Sequence, residues 1–171
     1  SPSDFAISVN VSPRQFKGND FLKDLKRALE ISQLPAENLK LEVTEGLLIE
    51  ASQELNDTLT AISELGVRIS MDDFGTGYSS LNYLKTFPFE NLKIDRSFIS
   101  ELPNSADAKI LVTATIAMAH QLGLSVTAEG IESDEQHAFL QELKCDYLQG
   151  YYLGKPMPAH QFSERLSQQK N

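Results

Sequence analysis

The stretch Ile69-Ser70-Met71-Asp72-Asp73-Phe74-Gly75-Thr76-Gly77-Tyr78 carries two adjacent carboxylates where an apolar strand meets a glycine-rich turn. Neighbouring side chains of a regular strand point to opposite faces of the sheet, so Asp72 and Asp73 can share one site only if the strand stops there. Gly75 and Gly77 give the backbone the freedom for such a stop. Paired acids at a strand end are suitable ligands for hard divalent cations. The stretch therefore predicts a metal site at the carboxyl end of a strand.

Five other strand-like runs share this arrangement. Each is a short apolar run that leads to, or contains, a side chain able to bind a cation or a water molecule. The runs are residues 5–9 before Asn10, 39–41 before Glu42, 92–95 around Lys93, 124–128 before Glu129, and 147–148 before Gln149. Six polar strand ends are therefore expected in one chain.

Amphipathic helical patterns separate most of these strands. Apolar residues recur at intervals of three and four over residues 20–31, 52–65 and 108–122. Gly66 and Gly123 stand just past two of these helices, where a left-handed cap is expected. Ser133 and Gln136 have the spacing of a capping box that opens another helix. The alternation of strand and helix predicts parallel strands joined by crossover helices.

Two α/β architectures fit such an alternation: an open doubly wound sheet and a closed (β/α) barrel. An open sheet concentrates its ligands at one switch point, whereas a barrel gathers strand ends from the whole ring. Polar residues at every strand end therefore favour the barrel. A full (β/α)8 barrel takes about 250 residues, and this chain has 171. We expect a partial TIM-like barrel with six of eight strand–helix units, strands 3–8, over residues 1–166, followed by a polar tail at 167–171; the first two strands would lie upstream.

Composition and charge narrow the class of protein. Hydrophobic residues make up 41% of the chain, enough for a sizeable core, and no run approaches the roughly 18 apolar residues of a membrane span. The lone Cys145 excludes an internal disulfide and fits a reducing compartment. A net charge of −9 argues against a broad surface for duplex nucleic acid. An anionic substrate is compatible with this charge where metal ions reverse it locally.

Six sequence motifs, taken in order, resemble the signature of EAL domains, the bacterial cyclic di-GMP phosphodiesterases. They are Ser8-Val9-Asn10-Val11-Ser12-Pro13-Arg14-Gln15-Phe16, Leu41-Glu42-Val43-Thr44-Glu45, Asp72-Asp73-Phe74-Gly75-Thr76-Gly77-Tyr78-Ser79-Ser80-Leu81, Leu92-Lys93-Ile94-Asp95-Arg96-Ser97-Phe98, Ala128-Glu129-Gly130-Ile131-Glu132 and Gln149-Gly150-Tyr151. An Asp-Phe-Gly run also occurs in protein kinases, but this chain has no His-Arg-Asp run. The resemblance covers nearly the whole chain.

The resemblance implies a TIM-like barrel that hydrolyses one phosphodiester of cyclic di-GMP, giving linear pGpG, with two Mg²⁺ or Mn²⁺ ions. It implies that Asn10, Glu42 and Asp72 hold the first ion. Asp72 and Asp73 would hold the second ion, with Glu129 supporting it directly or through water.

The resemblance also implies roles around the metals. Lys93 would orient the attacking water, while Glu132 and Gln149 would stand further from the metals in the catalytic site. Glu45 would brace the loop at residues 73–80, to whose support Gly75 and Asp95 are also assigned. That loop is implicated in family dimerisation. An unpaired parallel strand at residues 5–9 would also favour association, so we expect a homodimer or other homo-oligomer in which two chains could share these edges.

The decisive departure from the family is the absence of its Glu-Ala-Leu motif, whose glutamate is a first-metal ligand. We therefore expect weak or no activity from this segment alone and hydrolysis by the parent domain. The alternative is a non-catalytic cyclic di-GMP receptor or protein-interaction module. A smaller departure is Lys144, where a left-handed turn would cost a lysine roughly 1–2 kcal/mol.

Two expectations concern the surroundings of the domain. We expect a bacterial cytoplasmic location, alone or as the cytoplasmic part of a membrane-anchored protein, with no membrane contact by this segment. The apolar stripes that contain Ile110 and Leu111 are either core or a dimer face.

Overall fold

The computed structural model describes residues 5–16, 20–49, 52–75 and 81–168. The strands are β1 (Ile7–Val11), β2 (Leu39–Thr44), β3 (Arg68–Phe74), β4 (Asn91–Ile94), β5 (Ser125–Glu129) and β6 (Tyr147–Gln149). The helices are α1 (Phe21–Ser32), α2 (Gly46–Ile49), α3 (Gln53–Glu64), α4 (Leu81–Thr86), α5 (Arg96–Ser100), α6 (Ala106–Gln121), α7 (Asp134–Glu142) and α8 (Ala159–Gln168). Short 3-10 turns cover Pro13–Phe16 and Ala36–Asn38.

The six strands form one parallel sheet whose spatial order, β1-β2-β3-β4-β5-β6, is the order of the sequence. A doubly wound sheet reverses its strand order at a switch point, so this order excludes that alternative. The sheet also curls. Lys40 Nζ in β2 lies 5.1 Å from the ring centroid of Tyr147 in β6, although these strands would be about 19 Å apart in a flat sheet. The prediction of a partial TIM-like barrel is confirmed.

The hydrophobic core lies between the outer face of the curled sheet and the helices. Val43, Leu92 and Val126 are fully buried on neighbouring strands, and Leu59 and Ile62 of α3 belong to the same core. Strand side chains alternate between faces, so the polar residues next to these apolar ones point to the barrel interior. The core therefore fixes which side chains enter the candidate site.

Several predicted helix ends are confirmed. Ser52 accepts a hydrogen bond from Leu55 N at the start of α3, and Ser133 and Gln136 form a reciprocal capping box at α7. Gly66 and Gly123 have φ values of +88° and +78°. Lys144 has φ 57°, so its turn has the left-handed conformation whose cost was considered above.

The structure corrects the prediction that β3 stops at the acid pair. The strand continues through Phe74, and its register against β4 shifts between Met71 and Phe74. Asp73 has φ 55° within this irregularity. A bulge with a left-handed residue changes the alternation of the strand, which allows Asp72 and Asp73 to approach one site without ending the strand.

The strand and helix boundaries differ from the sequence pattern in three other ways. β2 runs to Thr44, two residues beyond Glu42. The short helices α2, α4 and α5 carry too few turns to show a helical period. Helix α8 continues through Gln168, so the first two residues of the predicted tail are helical. In the described part of the chain, no helix is long and apolar enough to cross a membrane.

The turn after β6 should tolerate no side chain at Gly150. A Cβ atom there would collide with the backbone N and O of Ile131. We expect Gly150→Ala to cost about 2 kcal/mol, in the range of overpacked cores, and to lower the melting temperature by about 4–8 °C. Thermal unfolding followed by circular dichroism measures this shift.

The matched control is Gly46→Ala, since a Cβ at Gly46 would lie 3.8 Å from Thr44 Oγ1, an ordinary contact. We expect an unchanged or slightly higher melting temperature for this variant. Equal melting temperatures for the two alanine variants would contradict the close packing at Gly150.

Candidate active site

A buried lysine occupies the centre of the barrel interior. The Lys93 side chain extends from β4 and is 5% exposed. Its Nζ lies 2.5 Å from Glu42 Oε2 on β2, 3.1 Å from Asp72 Oδ1 on β3 and 2.6 Å from Glu129 Oε1 on β5. A charge buried this deeply is tolerated only when it is paired, and three carboxylates supply the pairing. Four neighbouring strands therefore contribute to one charged cluster.

A second grouping of acids overlaps this cluster. Asp72, Asp73 and Glu129 each offer a carboxylate oxygen, and these oxygens lie within 4.8 Å of one another. The bulge in β3 supplies the two adjacent aspartates, and Asp73 N donates a 3.1 Å hydrogen bond to Asp72 Oδ1. An all-oxygen set of carboxylates fits Mg²⁺ or Mn²⁺ better than the nitrogen and sulfur ligands preferred by zinc. The donor set in this structure therefore fits the expected cations.

Burial and neighbouring charges shift the pKa values of three groups in the cluster. Burial and the neighbouring charge of Asp72 raise the pKa of Asp73. Burial also raises the pKa of Glu129, and the favourable contact with Lys93 only partly opposes it. Burial lowers the pKa of Lys93, but its hydrogen bonds to Glu129 and Glu42 outweigh this effect and leave the pKa above its ordinary value. The ammonium of Lys93 is thus held in its charged form, whereas ionisation of Asp73 and Glu129 is less favourable than that of exposed acids.

Two further predicted residues lie in register with the cluster. Asn10 of β1 is the Cα partner of Glu42, and Gln149 of β6 is the Cα partner of Glu129. Both are exposed, as is Glu132, which stands in the loop before α7. The backbone N of Glu132 donates a 2.8 Å hydrogen bond to Gln136 Oε1. Asn10 and Gln149 therefore lie at the exposed edge of the cluster, whereas Glu42 and Lys93 are buried inside it.

The residues assigned to loop support lie in different surroundings. Asp95 caps α5, where Oδ1 accepts hydrogen bonds from the backbone N and the hydroxyl of Ser97, and these bonds lower its pKa despite partial burial. Glu45 is 6% exposed, and within the described ranges neither of its carboxylate oxygens has a hydrogen-bond partner. Most of the loop that Glu45 was predicted to brace, residues 76–80, lies outside the described residues. Gly75 has φ +93° and packs against Phe98.

Sequence reasoning missed a polar layer one step deeper in the barrel. Ser70, Asn91 and Thr127 are 0%, 2% and 8% exposed, and they hydrogen-bond to one another through Asn91. The signal was available, because these residues stand two positions before Asp72, Lys93 and Glu129 on their strands and so share their face.

The curled sheet and its acidic strand ends define a (β/α)-barrel domain with a candidate cation site at the carboxyl end of the barrel. The chain belongs to the EAL domain family, whose sequence profile matches residues 1–156. It is 43% identical over 166 residues, 97% of its length, to the signaling protein YkoW of Bacillus subtilis. It is 44% identical over 159 residues, 93% of its length, to MucR of Pseudomonas aeruginosa, a bifunctional diguanylate cyclase/cyclic di-GMP phosphodiesterase. The resemblance found in the sequence is confirmed.

Solved structures of EAL relatives have the same fold as this chain. The MucR phosphodiesterase in complex with c-di-GMP superposes with a TM-score of 0.89 at 44% identity, covering 94% of this chain and 65% of that one. A manganese/c-di-GMP complex of Klebsiella pneumoniae BlrP1 superposes with a TM-score of 0.79 at 27% identity, covering 85% of this chain and 38% of that one. The chain spans only 21% of the length of YkoW and 23% of MucR.

Removal of the central ammonium should destabilise the folded state. We expect Lys93→Met to cost about 3–5 kcal/mol in EDTA at neutral pH, because the buried Glu42 and the partly buried Asp72 and Glu129 lose their counter-charge. The contact with Lys93 opposes the rise in the Glu129 pKa, so loss of Lys93 should raise this pKa further. Protonation as pH falls through the folded-state pKa should then stabilise the variant more than the wild type. The deficit of the variant should therefore shrink between neutral pH and about pH 5. Chemical denaturation across this pH range measures it.

Mn²⁺ should restore part of the stability lost in Lys93→Met, since a cation among the carboxylates replaces the missing charge. Lys109→Met is the matched control, because Lys109 is exposed on α6 beside Phe139. A stability deficit in Lys93→Met that is the same at every pH would show that the lost charge is not its cause.

Proposed function

We propose that this chain is the larger part of a domain that hydrolyses one phosphodiester of cyclic di-GMP, giving linear pGpG, with two Mg²⁺ or Mn²⁺ ions. The observation that carries the proposal is the convergence of Asp72, Asp73 and Glu129 beside the buried ammonium of Lys93. Family membership supports it, as do relatives named as cyclic di-GMP phosphodiesterases, among them NbdA and RocR of Pseudomonas aeruginosa.

The proposed cation ligands come from four strands. Asn10, Glu42 and Asp72 would hold the first cation, while Asp72, Asp73 and Glu129 would hold the second. Two bound cations neutralise a phosphodiester, stabilise its attacking and leaving oxygens and make a water more acidic. Support for divalent cations comes from the carboxylate donor set and from the manganese and calcium complexes of BlrP1. The choice of Mg²⁺ or Mn²⁺ over Ca²⁺ belongs to the proposal.

Lys93 would act in this reaction as a hydrogen-bond donor. Its raised pKa keeps the ammonium protonated at neutral pH, so it can orient a water oxygen or a phosphate oxygen but cannot accept a proton. Glu129 lies 2.6 Å from the ammonium, so the contact that restrains Lys93 would also orient this carboxylate toward the second cation. Gln149 and Glu132 are exposed, and we assign both to contacts with a bound dinucleotide.

The absent Glu-Ala-Leu segment limits the activity expected from these 171 residues. One proposed ligand of the first cation is not in this chain, so we expect weak or no turnover from it. The complete parent domain is expected to be active. A cytoplasmic location in a bacterium completes the proposal and agrees with the single cysteine, Cys145.

The hydrolysis test compares the 171-residue chain with the parent protein that carries the preceding segment. Each is incubated with Mn²⁺ and cyclic di-GMP, and pGpG is followed by chromatography. We expect the parent to form pGpG and its Asp72→Asn variant to lose at least about a hundredfold in rate, because one carboxylate serves both cations. Lys26→Met, which removes an exposed lysine of α1, should retain the parent rate.

The same experiment distinguishes the enzyme from the alternative function, a non-catalytic receptor of cyclic di-GMP. A parent protein that binds cyclic di-GMP in Mn²⁺ without forming pGpG would be the receptor instead of the enzyme. A parent that neither binds nor hydrolyses the nucleotide would contradict both functions.

We further propose that the domain forms a homodimer through α6. The helix is apolar around most of its circumference, and Ile110 and Leu111 remain 65% and 50% exposed. Leu111 borders a cavity of about 330 Å³ whose other walls include Phe74, Gly75 and Phe98. A helix that is apolar around most of its circumference is typical of one that is covered on more than one side. Since Phe74 and Gly75 follow the acid pair directly, a dimer contact at this cavity would lie close to the candidate site.

Light scattering tests the dimer. We expect the wild-type chain to have twice the mass of the Ile110→Glu/Leu111→Glu variant at micromolar concentration, because a buried carboxylate strongly disfavours an apolar contact. The control is Ile31→Glu, which changes a residue of α1 that is 74% exposed. Equal masses for the wild type and the α6 variant would exclude this interface.

A further inference from the structure

A hydrogen-bonded layer of four side chains lies directly beneath the charged cluster. Asn91 Oδ1 accepts hydrogen bonds from Ser70 Oγ at 2.7 Å and Thr127 Oγ1 at 3.1 Å. Asn91 Nδ2 donates to Ser125 Oγ at 3.0 Å, and Ser125 Oγ donates to Glu90 O at 3.0 Å. We call Ser70, Asn91, Ser125 and Thr127 the Asn91 network. It joins β3, β4 and β5 through side chains.

Each strand of the Asn91 network carries a residue of the candidate site two positions later. Ser70 precedes Asp72 on β3, Asn91 precedes Lys93 on β4, and Thr127 precedes Glu129 on β5. Residues two apart on a strand point to the same face. The network therefore forms the layer of the barrel interior next to Asp72, Lys93 and Glu129.

The network lies at the last regular step before the bulge. Ser70 pairs with Asn91 and Met71 with Leu92, after which the register between β3 and β4 shifts before Phe74 pairs with Ile94. Beyond Met71 the backbone pairing alone does not define where Asp72 stands relative to Lys93. The hydrogen bond from Ser70 to Asn91 fixes the two strands at the point from which the bulge departs.

An apolar layer could fill the same volume, since buried polar groups seldom stabilise a core more than hydrophobic side chains of similar size. A fully bonded polar layer differs in being directional, because it is satisfied in one strand register only. The repulsion among Asp72, Asp73 and Glu129 acts to separate these strand ends. A directional restraint directly below them opposes that separation.

We propose that Asn91 is a positioning residue that holds β3, β4 and β5 in the register in which Asp72, Lys93 and Glu129 converge. This inference rests on the proposed function, because its consequence is cation binding at the carboxylates. Asn91 does not contact the cation or the substrate. It acts through the strands that carry the residues that do.

The test replaces Asn91 with leucine, which has a similar volume and cannot make the directional bonds. Two readouts are used on the 171-residue chain: the nuclear magnetic resonance signals of the Lys93 side chain in EDTA, and Mn²⁺ affinity measured by electron paramagnetic resonance. We expect Asn91→Leu to shift and broaden the Lys93 signals and to weaken Mn²⁺ binding by about tenfold or more, as when groups supporting metal ligands are lost.

The matched control is Gln136→Leu. Gln136 is also a buried amide, 6% exposed, but it serves the α7 capping box and the carbonyl of Ile99. We expect this variant to lose stability while the Lys93 signals and the Mn²⁺ affinity remain those of the wild type. Unchanged Lys93 signals and Mn²⁺ affinity in a folded Asn91→Leu variant would overturn the positioning role.

Thr127→Val provides the second variant should Asn91→Leu fail to fold. It removes one 3.1 Å hydrogen bond to Asn91 with little change of shape, and we expect the same changes at smaller amplitude. Wild-type Lys93 signals in Thr127→Val would count against the network. A wild-type chain that binds no Mn²⁺ would contradict the proposed cation site, whereas the Lys93 signals in EDTA would still decide the role of Asn91.

Discussion

The contact of the Lys93 ammonium with the carboxylates of Glu42, Asp72 and Glu129 is the interaction on which the candidate site depends. With Asp73, four carboxylates share the site with one ammonium, which leaves a formal charge of −3. Two divalent cations would more than offset this charge, whereas the missing first-cation glutamate and a phosphodiester would each add one negative charge. An anionic phosphodiester is therefore compatible with the site only when cations offset its carboxylates.

The curl of the sheet is what makes this contact feasible. Glu42 and Glu129 stand on β2 and β5, which would be about 14 Å apart in a flat sheet. In the barrel both reach the same ammonium, at 2.5 Å and 2.6 Å. The hydrophobic core between the sheet and the helices sets the curvature, because strand side chains such as Leu92 and Val126 must pack against the surrounding helices. Packing on the outer face of the sheet therefore determines electrostatics on its inner face.

Much of this arrangement could be predicted from the sequence, because period-two and period-3.6 patterns encode which face of each element is buried. Glu42, Lys93 and Glu129 were assigned to the site from strand patterns and family motifs, and the structure brings them together. The bulge at Asp73 could not be predicted, since a left-handed aspartate inside a strand follows from strand pairing and not from local preference.

Two other features also depend on tertiary structure. The Asn91 network has hydrogen bonds between residues up to 36 positions apart. The strand pattern can place these residues on one face of the sheet, but it cannot show which of them hydrogen-bond to one another. Asp95 follows the strand that carries Lys93, and the same sequence pattern suits a site residue or a helix cap. The structure shows the cap, because Ser97 supplies both donors to Asp95 Oδ1.

The division of labour between Lys93 and Glu129 follows from a single short contact. The hydrogen bond from the ammonium to Glu129 helps to raise the pKa of Lys93 and opposes the rise that burial causes in Glu129. The lysine therefore remains a donor, and the pKa of Glu129 stays above that of an ordinary glutamate. A water oxygen held by the ammonium would lie beside the cation that Glu129 is proposed to hold, on the adjacent strand. The neighbouring strands β4 and β5 thus place a hydrogen-bond donor next to a proposed cation ligand, an arrangement that suits the metal-assisted hydrolysis proposed for this site.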